Sequence, residues 1–262
     1  MASGNLDIAA LSAADLENWA GAERRDPPRS DRHYLVLKPL AKQLRSEAAR
    51  LLSGRSDAAV LDVGCGGKPY LPLLAPYAAS YEGVDAAPGP LVDTVAPAED
   101  LPYEEGRFDL VLCTQVLEHV QDPAASIAEI HRVLRPGGAV LLSTHGVFLY
   151  HPDPPDSDQD YWRWTHAGLE KQIRGAGEWG EVRLQAHGDV VACVAYIAAQ
   201  FADELGGRLR SDRLRRLLLY VINASAERLD ARFPPGARFP RPGSLSANYL
   251  ATAVKSRAAA AD

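Results

Sequence analysis

The chain has 262 residues, of which 47% are hydrophobic and 24% are charged, so it is long and apolar enough to bury a sizeable core. Its 28 basic and 34 acidic residues give a formal net charge of −6, which argues against general binding to nucleic acid or to an anionic membrane. The three cysteines are far apart and form no paired motif, so neither a disulfide framework nor a zinc site is expected.

The N-terminus lacks the basic and apolar regions of a secretory signal. The longest apolar stretch, Val190 to Phe201, ends before Asp203 and is predicted to be too short to span a bilayer. We therefore expect a cytoplasmic protein with no membrane and no nucleic acid as partner.

Short runs rich in β-branched residues alternate with helical patterns, which is typical of an α/β protein with a largely parallel sheet. The predicted strands are 59–63, 80–84, 91–95, 108–113, 139–143, 181–185 and 247–254. The predicted helices are 7–20, 33–52, 126–134, 165–174, 190–205 and 211–231. Residues 151–160 contain three prolines and four aspartates, so they are predicted to form a loop.

A glycine-rich turn follows the first strand, where Gly64, Gly66 and Gly67 allow the backbone to approach a ligand closely. The dinucleotide fingerprint G-x-G-x-x-G fails because its third glycine would fall on Pro69. Asp62, just before the loop, suits a ligand with a positive sulfonium or ammonium group better than a diphosphate. A tight turn with a capping aspartate is the purely structural alternative.

Five ordered segments carry a resemblance to a known family. They are Asp62-x-Gly64-x-Gly66, Asp85, Phe108-Asp109-Leu110-Val111, Leu117-Glu118-His119-Val120 and Leu134-Arg135-Pro136-Gly137-Gly138. With this order and spacing the chain resembles the class I S-adenosylmethionine (SAM)-dependent methyltransferases over roughly residues 55–187 and, more weakly, in the last strand. The resemblance implies SAM as cofactor and a small molecule as methyl acceptor.

The resemblance also implies a Rossmann-like fold: a seven-stranded, mostly parallel sheet with helices on both faces and an antiparallel last strand. Residues 1–262 would form a single domain. Its parts would be an N-terminal helical cap (1–55), the SAM-binding core (56–187), a helical insertion (188–245), and the last strand and tail (246–262).

The implied cofactor-binding residues are Tyr34, Asp62, Gly64, Cys65, Gly66, Asp85, Ala86, Asp100, Leu101, Thr114 and Gln115. In the family, the glycines pack under the methionine part of SAM, and the carboxylate at the position of Asp85 accepts hydrogen bonds from the ribose hydroxyls. Asp100 and Leu101 would bracket the adenine, and Thr114 and Gln115 would lie near the methionine ammonium or the reacting methyl.

Tyr34 and Lys68 fit the family pattern less closely. Tyr34 is predicted to be either a lid contact over the cofactor or a tyrosine packed in the core. Lys68 occupies the position of the last glycine of the family motif, so the local geometry of the loop is expected to differ there.

Transfer of a methyl group to a hydroxyl calls for a base or a metal that removes the proton. The carboxyl ends of the fourth and fifth strands face the cofactor crevice in this kind of sheet, which makes His145, His119 and His151 the candidates. His145 directly follows the fifth strand and is the first choice. A loop histidine bonded to backbone is the alternative for His145, and an architectural role is the alternative for His119.

A divalent metal is not expected. The segment from Gln115 to His119 is similar to the Glu-x-x-Glu-His segment with which some O-methyltransferases bind a cation, but Gln115 replaces the first glutamate. An amide binds a hard cation less strongly than a carboxylate does. If a metal were bound, Glu118 and His119, with His145, would be its ligands.

The loop after the fifth strand combines acidic and aromatic residues, which suits a polyhydroxylated or amine-bearing ligand. The predicted substrate-binding residues are His151, Asp153, Tyr161, Trp162, Arg163 and Trp164. The alternative is a solvated acidic loop whose tryptophans pack on the core.

These observations predict a methyltransferase that acts on the hydroxyl of a sugar or of a glycosylated or polyketide-like secondary metabolite. N- or C-methylation of an aromatic or alkaloid-like metabolite is the alternative activity. A non-catalytic SAM-binding module is the alternative class. The helices at 190–231 are expected to form either a substrate lid or a homodimer surface.

Overall fold

The computed structural model describes residues 8–152, 157–188, 190–232 and 245–257. Its seven strands are β1 (Ala58–Val63), β2 (Ala78–Asp85), β3 (Thr94–Val95), β4 (Phe108–Thr114), β5 (Leu134–His145), β6 (Trp179–His187) and β7 (Asn248–Lys255). They form one sheet in the order β3-β2-β1-β4-β5-β7-β6. Strands β1 to β5 pair in parallel, whereas β7 is antiparallel to both β5 and β6. This confirms the predicted Rossmann-like fold with its antiparallel last strand.

The α-helices among the described residues are α1 (Ala13–Glu17), α2 (Ala22–Arg25), α3 (Tyr34–Leu52), α4 (Leu71–Leu74), α5 (Pro123–Val133), α6 (His166–Gly175), α7 (Val190–Arg208) and α8 (Asp212–Arg232). Helices cover both faces of the sheet because alternate strand residues point to opposite sides. Leu61 of β1 packs in one apolar cluster with Ile127 of α5, while the adjacent Val60 packs in another with Leu40 of α3.

Capping side chains determine where two of the helices begin. Asp122 accepts hydrogen bonds from the backbone N–H groups of Ala124 (2.9 Å) and Ala125 (3.1 Å) and so begins α5. Helix α5 therefore starts three residues before the predicted one. The predicted cap of α6 is confirmed, because the Thr165 hydroxyl accepts from the backbone N–H of Gly168 at 3.0 Å.

The N-terminal segment differs from the prediction of one helix over 7–20. It contains a short 3₁₀ turn (Ile8–Ala10) and the short helices α1 and α2. Ser12 has an extended backbone (φ −75°, ψ 163°), and its side chain accepts the backbone N–H of Asp15, so a new helix begins after it and no single helix can run through this position.

Helix α7 is longer than its sequence suggested. It continues past Asp203 to Arg208 and is, by length and composition alone, apolar and long enough to cross a membrane. The prediction that this stretch is too short to span a bilayer was therefore wrong. Ala199 and Ala202 pack against Leu219 of α8. That the protein has no membrane partner stays a prediction.

A buried polar link connects α3, β6 and β7. His187 Nε2 lies 2.6 Å from Gln43 Oε1, and His187 Nδ1 lies 2.9 Å from the amide nitrogen of Asn248. An amide nitrogen can only donate, so Nδ1 accepts and the imidazole is neutral. Burial lowers the pKa of His187 to about 3.

We expect acid to destabilise the protein partly through His187. Between its folded pKa of about 3 and its ordinary value of 6.5, the unfolded chain binds the extra proton. The free energy of unfolding therefore falls as the pH drops through this window, by about 2 kcal/mol between pH 6.5 and 5. Urea unfolding of the wild type and of His187→Gln across this range tests the point. An equally steep pH dependence in both proteins would contradict it.

Candidate active site

A cavity of about 680 Å³ lies where the carboxyl ends of β1, β2, β4 and β5 meet. Nine of the predicted site residues line it, namely Gly64, Cys65, Gly66, Asp85, Thr114, Gln115, His119, His145 and His151. The crevice beyond the carboxyl ends of the strands is where ligands bind in open α/β sheets. The cavity is therefore the candidate active site.

The glycine loop forms one wall of the cavity. The backbone N–H groups of Gly64 and Cys65 donate to the Val84 carbonyl at 2.8 and 3.1 Å. Gly64 and Gly66 have φ values of 66° and 47°, and a Cβ on Gly64 would lie 2.2 Å from a methyl of Val116. A Cβ on Gly66 would instead meet nothing within 4 Å, so that side of the loop faces open space that a ligand can fill.

Lys68 explains how the loop tolerates the loss of the motif's last glycine. Its φ of 49° lies in the left-handed region that the glycine would have occupied. The side chain is fully buried, and its Nζ lies 2.6 Å from Asp93 Oδ2. Asp93 also accepts the backbone N–H of Gly83 at 2.7 Å. Lys68 therefore joins the loop to the β2–β3 connection.

Asp85, at the end of β2, supports the loop from the side. Its Oδ2 accepts the backbone N–H of Gly66 at 2.9 Å, and its Oδ1 accepts that of Ala87 at 3.1 Å. Each oxygen keeps a lone pair for a further donor, as the predicted ribose contact requires. Ala86 is exposed beside it.

Asp62 does not line the cavity. Its carboxylate is buried and accepts a hydrogen bond of 2.6 Å from the Tyr81 hydroxyl. Burial raises the pKa of Asp62 to about 7, although the Tyr81 bond acts against this rise. Asp62 thus supports the end of β1 beneath the loop, which differs from the predicted direct contact with the ligand.

The predicted adenine segment also differs from expectation. The Leu101 backbone N–H donates to Glu129 Oε2 at 2.8 Å, and the Leu101 carbonyl accepts from Arg132 at 2.8 Å. In this structure Leu101 has no free N–H to offer an adenine. Asp100 is exposed, and neither residue is among those that line the cavity.

Tyr34 is packed in the protein interior, which is the second of its two predicted roles. It is buried, its hydroxyl donates to Glu227 Oε1 at 2.6 Å, and it accepts from Lys38 Nζ at 2.6 Å. Tyr34 therefore joins α3 to α8 and does not line the cavity.

Thr114 and Gln115 line the middle of the cavity wall at the end of β4. Gln115 has a φ of 59°, and its backbone N–H donates to the Ser143 carbonyl at 2.9 Å. Its side-chain amide donates to Ser143 Oγ and to Asn248 Oδ1, both at 2.9 Å. Strands β5 and β7 thus fix Gln115, which explains why a non-glycine residue holds this strained backbone.

His145 lines the cavity and forms a buried pair with Glu118, which lies outside the lining. His145 Nε2 lies 3.0 Å from Glu118 Oε1, and the Thr144 hydroxyl donates to Glu118 Oε2 at 2.7 Å. Burial alone would raise the pKa of Glu118, but His145 and Thr144 hold it at about 2. The ionised carboxylate therefore orients the imidazole, which stacks on Phe148 with the ring centroids 3.6 Å apart. His145 Nδ1 and Glu118 Oε1 are both buried without a hydrogen-bond partner among the described residues, so the contact between the two side chains is electrostatic.

Two more histidines surround this pair. The centroid of the His151 ring lies 4.9 Å from that of His145 and 5.0 Å from that of His119, and both contacts are edge to face. His119 Nδ1 lies 2.6 Å from the Gln159 carbonyl oxygen, and His151 Nδ1 lies 2.9 Å from that of Leu149. Both rings are therefore held through Nδ1.

One group of side chains has the composition of a metal site. The ligand atoms of Glu118, His145 and His151 all lie within 4.8 Å of one another, and two histidines with a glutamate are a known zinc-binding set. The group includes Glu118 and His145 from the predicted metal ligands, whereas His119 is replaced by His151.

The acidic loop positions His151 through an internal ion pair. Arg163 binds Asp160 with both amino groups, at 2.6 and 2.7 Å, and also donates to the Leu149 carbonyl. Asp160 accepts the backbone N–H of His151 at 2.8 Å. The Arg163 guanidinium thus stabilises the loop that carries His151. The spacing of these residues in the sequence could not distinguish this role from substrate binding.

The aromatic residues of this loop lie outside the cavity lining. The Trp162 indole donates to the Val120 carbonyl at 2.9 Å, and the Tyr161 hydroxyl accepts from Gln121 at 2.8 Å. Trp164 packs against the core. Trp164 therefore matches the alternative of a tryptophan packed on the core, whereas Tyr161 and Trp162 are exposed, at 45% and 38%. Asp153 lies outside the described residues.

The N-terminal cap supplies lining residues that the sequence analysis missed as a group: Glu23, Arg24, Asp31, Arg32 and His33. The α7–α8 hairpin fixes this segment. The Asn223 side chain donates to the carbonyls of Arg29 and Asp31, at 2.7 and 2.9 Å, and Asp203 forms an ion pair with Arg32 at 3.2 Å. The only sequence signal was a dense run of charges around 23–32.

The sheet order, the glycine loop and the strand-end carboxylate together define the class of SAM-dependent methyltransferases. A family model described as a methyltransferase domain matches residues 36–187. The chain belongs to this family, whose cofactor is SAM. The open space beside Gly66 and the free lone pairs of Asp85 fit that cofactor.

Curated relatives include the ubiquinone biosynthesis O-methyltransferases of Pseudomonas aeruginosa and Xanthomonas oryzae pv. oryzae. The first is 36% identical over 160 residues, covering 53% of this chain and 64% of the relative. The second is 38% identical over 161 residues, covering 55% of this chain and 63% of the relative. The match thus spans less than two thirds of these relatives.

Solved structures share the fold at low sequence identity. The 4+2 cyclase SpnF is 22% identical with a TM-score of 0.52, covering 85% of this chain and 84% of that one. A Haemonchus contortus phosphoethanolamine N-methyltransferase 2 in complex with SAM is 15% identical with a TM-score of 0.51, covering 91% of this chain and 60% of that one. Because these names denote different reactions, the fold alone does not fix the chemistry.

Proposed function

We propose that the protein transfers a methyl group from SAM to the hydroxyl of a small molecule. The observation that carries this proposal is the His145 imidazole, which lines the same cavity as the glycine loop and Asp85 and lies 3.0 Å from the buried Glu118 carboxylate. A hydroxyl nucleophile needs a base, and an imidazole oriented by a buried carboxylate is an established form of one.

The residues of the chain divide the work of such a transfer. When bound, SAM supplies a methyl group on a sulfonium, which is a good leaving group. Asp85 and the glycine loop hold the cofactor in place, so that the protein contributes mainly alignment. His145 accepts the hydroxyl proton at Nδ1 while the oxygen bonds to the methyl carbon and the carbon–sulfur bond breaks. Glu118 stabilises the resulting imidazolium.

The lining favours a flat aromatic or polyketide-like acceptor over a sugar. Phe148, His145 and His151 present rings to the cavity, whereas Tyr161 and Trp162, on which the sugar prediction rested, do not line it. The names of the curated relatives, which are O-methyltransferases, support a hydroxyl as acceptor.

A panel of matched acceptors tests this proposal. Wild-type protein would be incubated with SAM and catechols, simple phenols, glycosides or aromatic amines, and products would be identified by mass. We expect a single methyl addition on phenolic hydroxyls, and no addition when the hydroxyl is already a methyl ether. Methylation of the amines alone would favour the N-methyltransferase alternative, and methylation of the glycosides alone would restore the sugar prediction.

Removal of metal is expected to leave turnover unchanged, because His145 needs no ion to accept a proton. The protein would be treated with EDTA, passed through a desalting column and assayed with and without added Mg²⁺ or Zn²⁺. Loss of activity that either ion restores would assign Glu118, His145 and His151 to a metal site and remove His145 as the base.

The predicted homodimer remains a proposal. Large apolar side chains of α7 and α8 are exposed, Phe201 and Leu217 among them. Light scattering during gel filtration would distinguish a monomer from a dimer.

A further inference from the structure

The hairpin tip, residues 205–217, joins α7 to α8 and combines exposed leucines with a cluster of positive charge. Its four leucines are between 36% and 59% exposed, namely Leu205, Leu209, Leu214 and Leu217. Between them lie five arginines and a single acidic residue: Arg208, Arg210, Arg213, Arg215, Arg216 and Asp212. The charge of the hairpin tip is therefore opposite in sign to that of the whole chain.

Close packing of the two helices gives the hairpin tip a defined shape. A Cβ on Gly206 would lie 2.5 Å from the Cβ of Arg215, so α7 and α8 are in direct contact there. Arg215 also forms an ion pair with Asp203 of α7 at 3.0 Å. Because both contacts join the two helices, the hairpin tip presents its leucines to solvent from a closed turn.

Most of the positive charge of the hairpin tip is not neutralised. Arg208 pairs with Glu204 at 3.0 Å, and Arg215 pairs with Asp203. The other three arginines form no ion pair with a carboxylate within the described residues: Arg210, Arg213 and Arg216. An anionic partner would therefore find free cations beside exposed apolar side chains.

The exposed apolar surface continues from the hairpin tip along α7, where exposed residues recur with helical spacing: Val194, Ile197 and Phe201. The opposite face of α7 is buried against α8 and, through Tyr196, against Val36 of α3. Helix α7 can therefore contact a membrane along its outer stripe, but it cannot cross one without losing its packing on the protein.

The combination of arginines and leucines fits an anionic lipid surface. Basic residues are attracted to anionic headgroups, while exposed leucines insert at the boundary between headgroups and acyl chains. A nucleic acid would bind the arginines but leave the leucines in water. A second copy that docked tip to tip would bring two arginine clusters together, because a symmetric dimer apposes identical surfaces.

We propose that the hairpin tip docks the protein peripherally on an anionic membrane, with its leucines in the interface and its arginines at the headgroups. The net charge of −6 led to the opposite expectation, which this proposal replaces. Charges farther away than the Debye length of about 10 Å are largely screened, so the charge that faces the membrane decides binding. Asn223 and Asp203 of the same hairpin hold the cap that lines the cavity, so a docked hairpin tip keeps the candidate active site at the membrane.

Vesicle flotation tests the proposal. The protein would be mixed with vesicles of phosphatidylcholine alone or of equal parts phosphatidylcholine and phosphatidylglycerol. We expect binding to the mixed vesicles only, and weaker binding as salt is added. The double variants Leu209→Gln/Leu217→Gln and Arg210→Gln/Arg213→Gln should each weaken binding by roughly 10-fold or more.

Lys42→Gln/Arg45→Gln is the matched control. It removes the same charge from two exposed positions of α3 and should bind like the wild type. Thermal unfolding of all variants should match that of the wild type, because every substituted side chain is exposed. A loss of vesicle binding would then not reflect a folding defect.

Four results would overturn the proposal. The wild type would fail to float with the mixed vesicles, the leucine variant would bind as tightly as the wild type, or the control would lose as much binding as the arginine variant. The fourth is a dimer in light scattering that the leucine variant dissociates, which would assign the leucines to a second copy. Methyl transfer to soluble acceptors should be unchanged in both tip variants, so these results are distinguishable from failure of the proposed function.

Discussion

Replacement of His145 by phenylalanine is expected to lower kcat for hydroxyl methylation by roughly 10²- to 10⁴-fold, the usual contribution of a general base. Phenylalanine keeps the ring that stacks on Phe148 at 3.6 Å and removes both nitrogens. The affinity for SAM should therefore stay near that of the wild type, because the cofactor-binding loop and Asp85 belong to other strands.

Glu118→Gln supplies the companion measurement. The amide has the shape of the carboxylate but lacks the charge that faces His145 Nε2, so kcat should fall less than in His145→Phe while SAM still binds. Single-turnover rates and SAM titrations of both variants check this account. Near-normal turnover by His145→Phe would remove His145 as the base.

Asp85→Asn is expected to weaken SAM binding by roughly 10- to 100-fold, because the ribose hydroxyls lose charge-assisted acceptors. The amide retains one oxygen for the loop, where the carboxylate accepts the backbone N–H groups of Gly66 and Ala87. Most of the loss should therefore reflect the ribose and not collapse of the loop.

Asp100→Asn is the matched control for this prediction, since that carboxylate is exposed and does not line the cavity. Its effect on SAM affinity should be clearly smaller than that of Asp85→Asn. Calorimetric titration with S-adenosylhomocysteine measures both variants. Equal affinity of Asp85→Asn and wild type would contradict the assignment of Asp85 to the ribose.

The part of the site that could be predicted from sequence is local. Gly64 and Gly66 follow a buried strand, and Asp85 ends the next one, so parallel pairing brings them to one edge of the sheet. The same reasoning placed Thr114, His145 and His119 in the cavity.

Other features depend on which way a side chain points or on contacts distant in sequence. Glu118 and His145 were grouped only as ligands of a possible metal, because their direct contact arises only when β4 and β5 lie side by side. Lys68 looked like a defect in the loop, yet its ammonium reaches Asp93, 25 residues away along the chain. The N-terminal cap carried no motif, because Arg25 binds the loop at Pro69 across 44 residues of sequence.

For the acidic, aromatic loop, sequence could not decide between substrate binding and packing. Composition favoured substrate binding, but Arg163 is satisfied by Asp160 and by backbone carbonyls, and Trp162 donates to Val120. Sequence alone does not reveal whether an aromatic side chain packs inward or faces a ligand.

Acceptor-dependent release of S-adenosylhomocysteine tests the central claim most directly. Purified protein would be incubated with SAM, with and without phenolic acceptors, and both products would be quantified by mass spectrometry. The account predicts release only with an acceptor, in a one-to-one ratio with the methylated product and abolished in His145→Phe. Tight binding of SAM with no turnover on any acceptor would contradict it and identify the protein as a non-catalytic SAM-binding module.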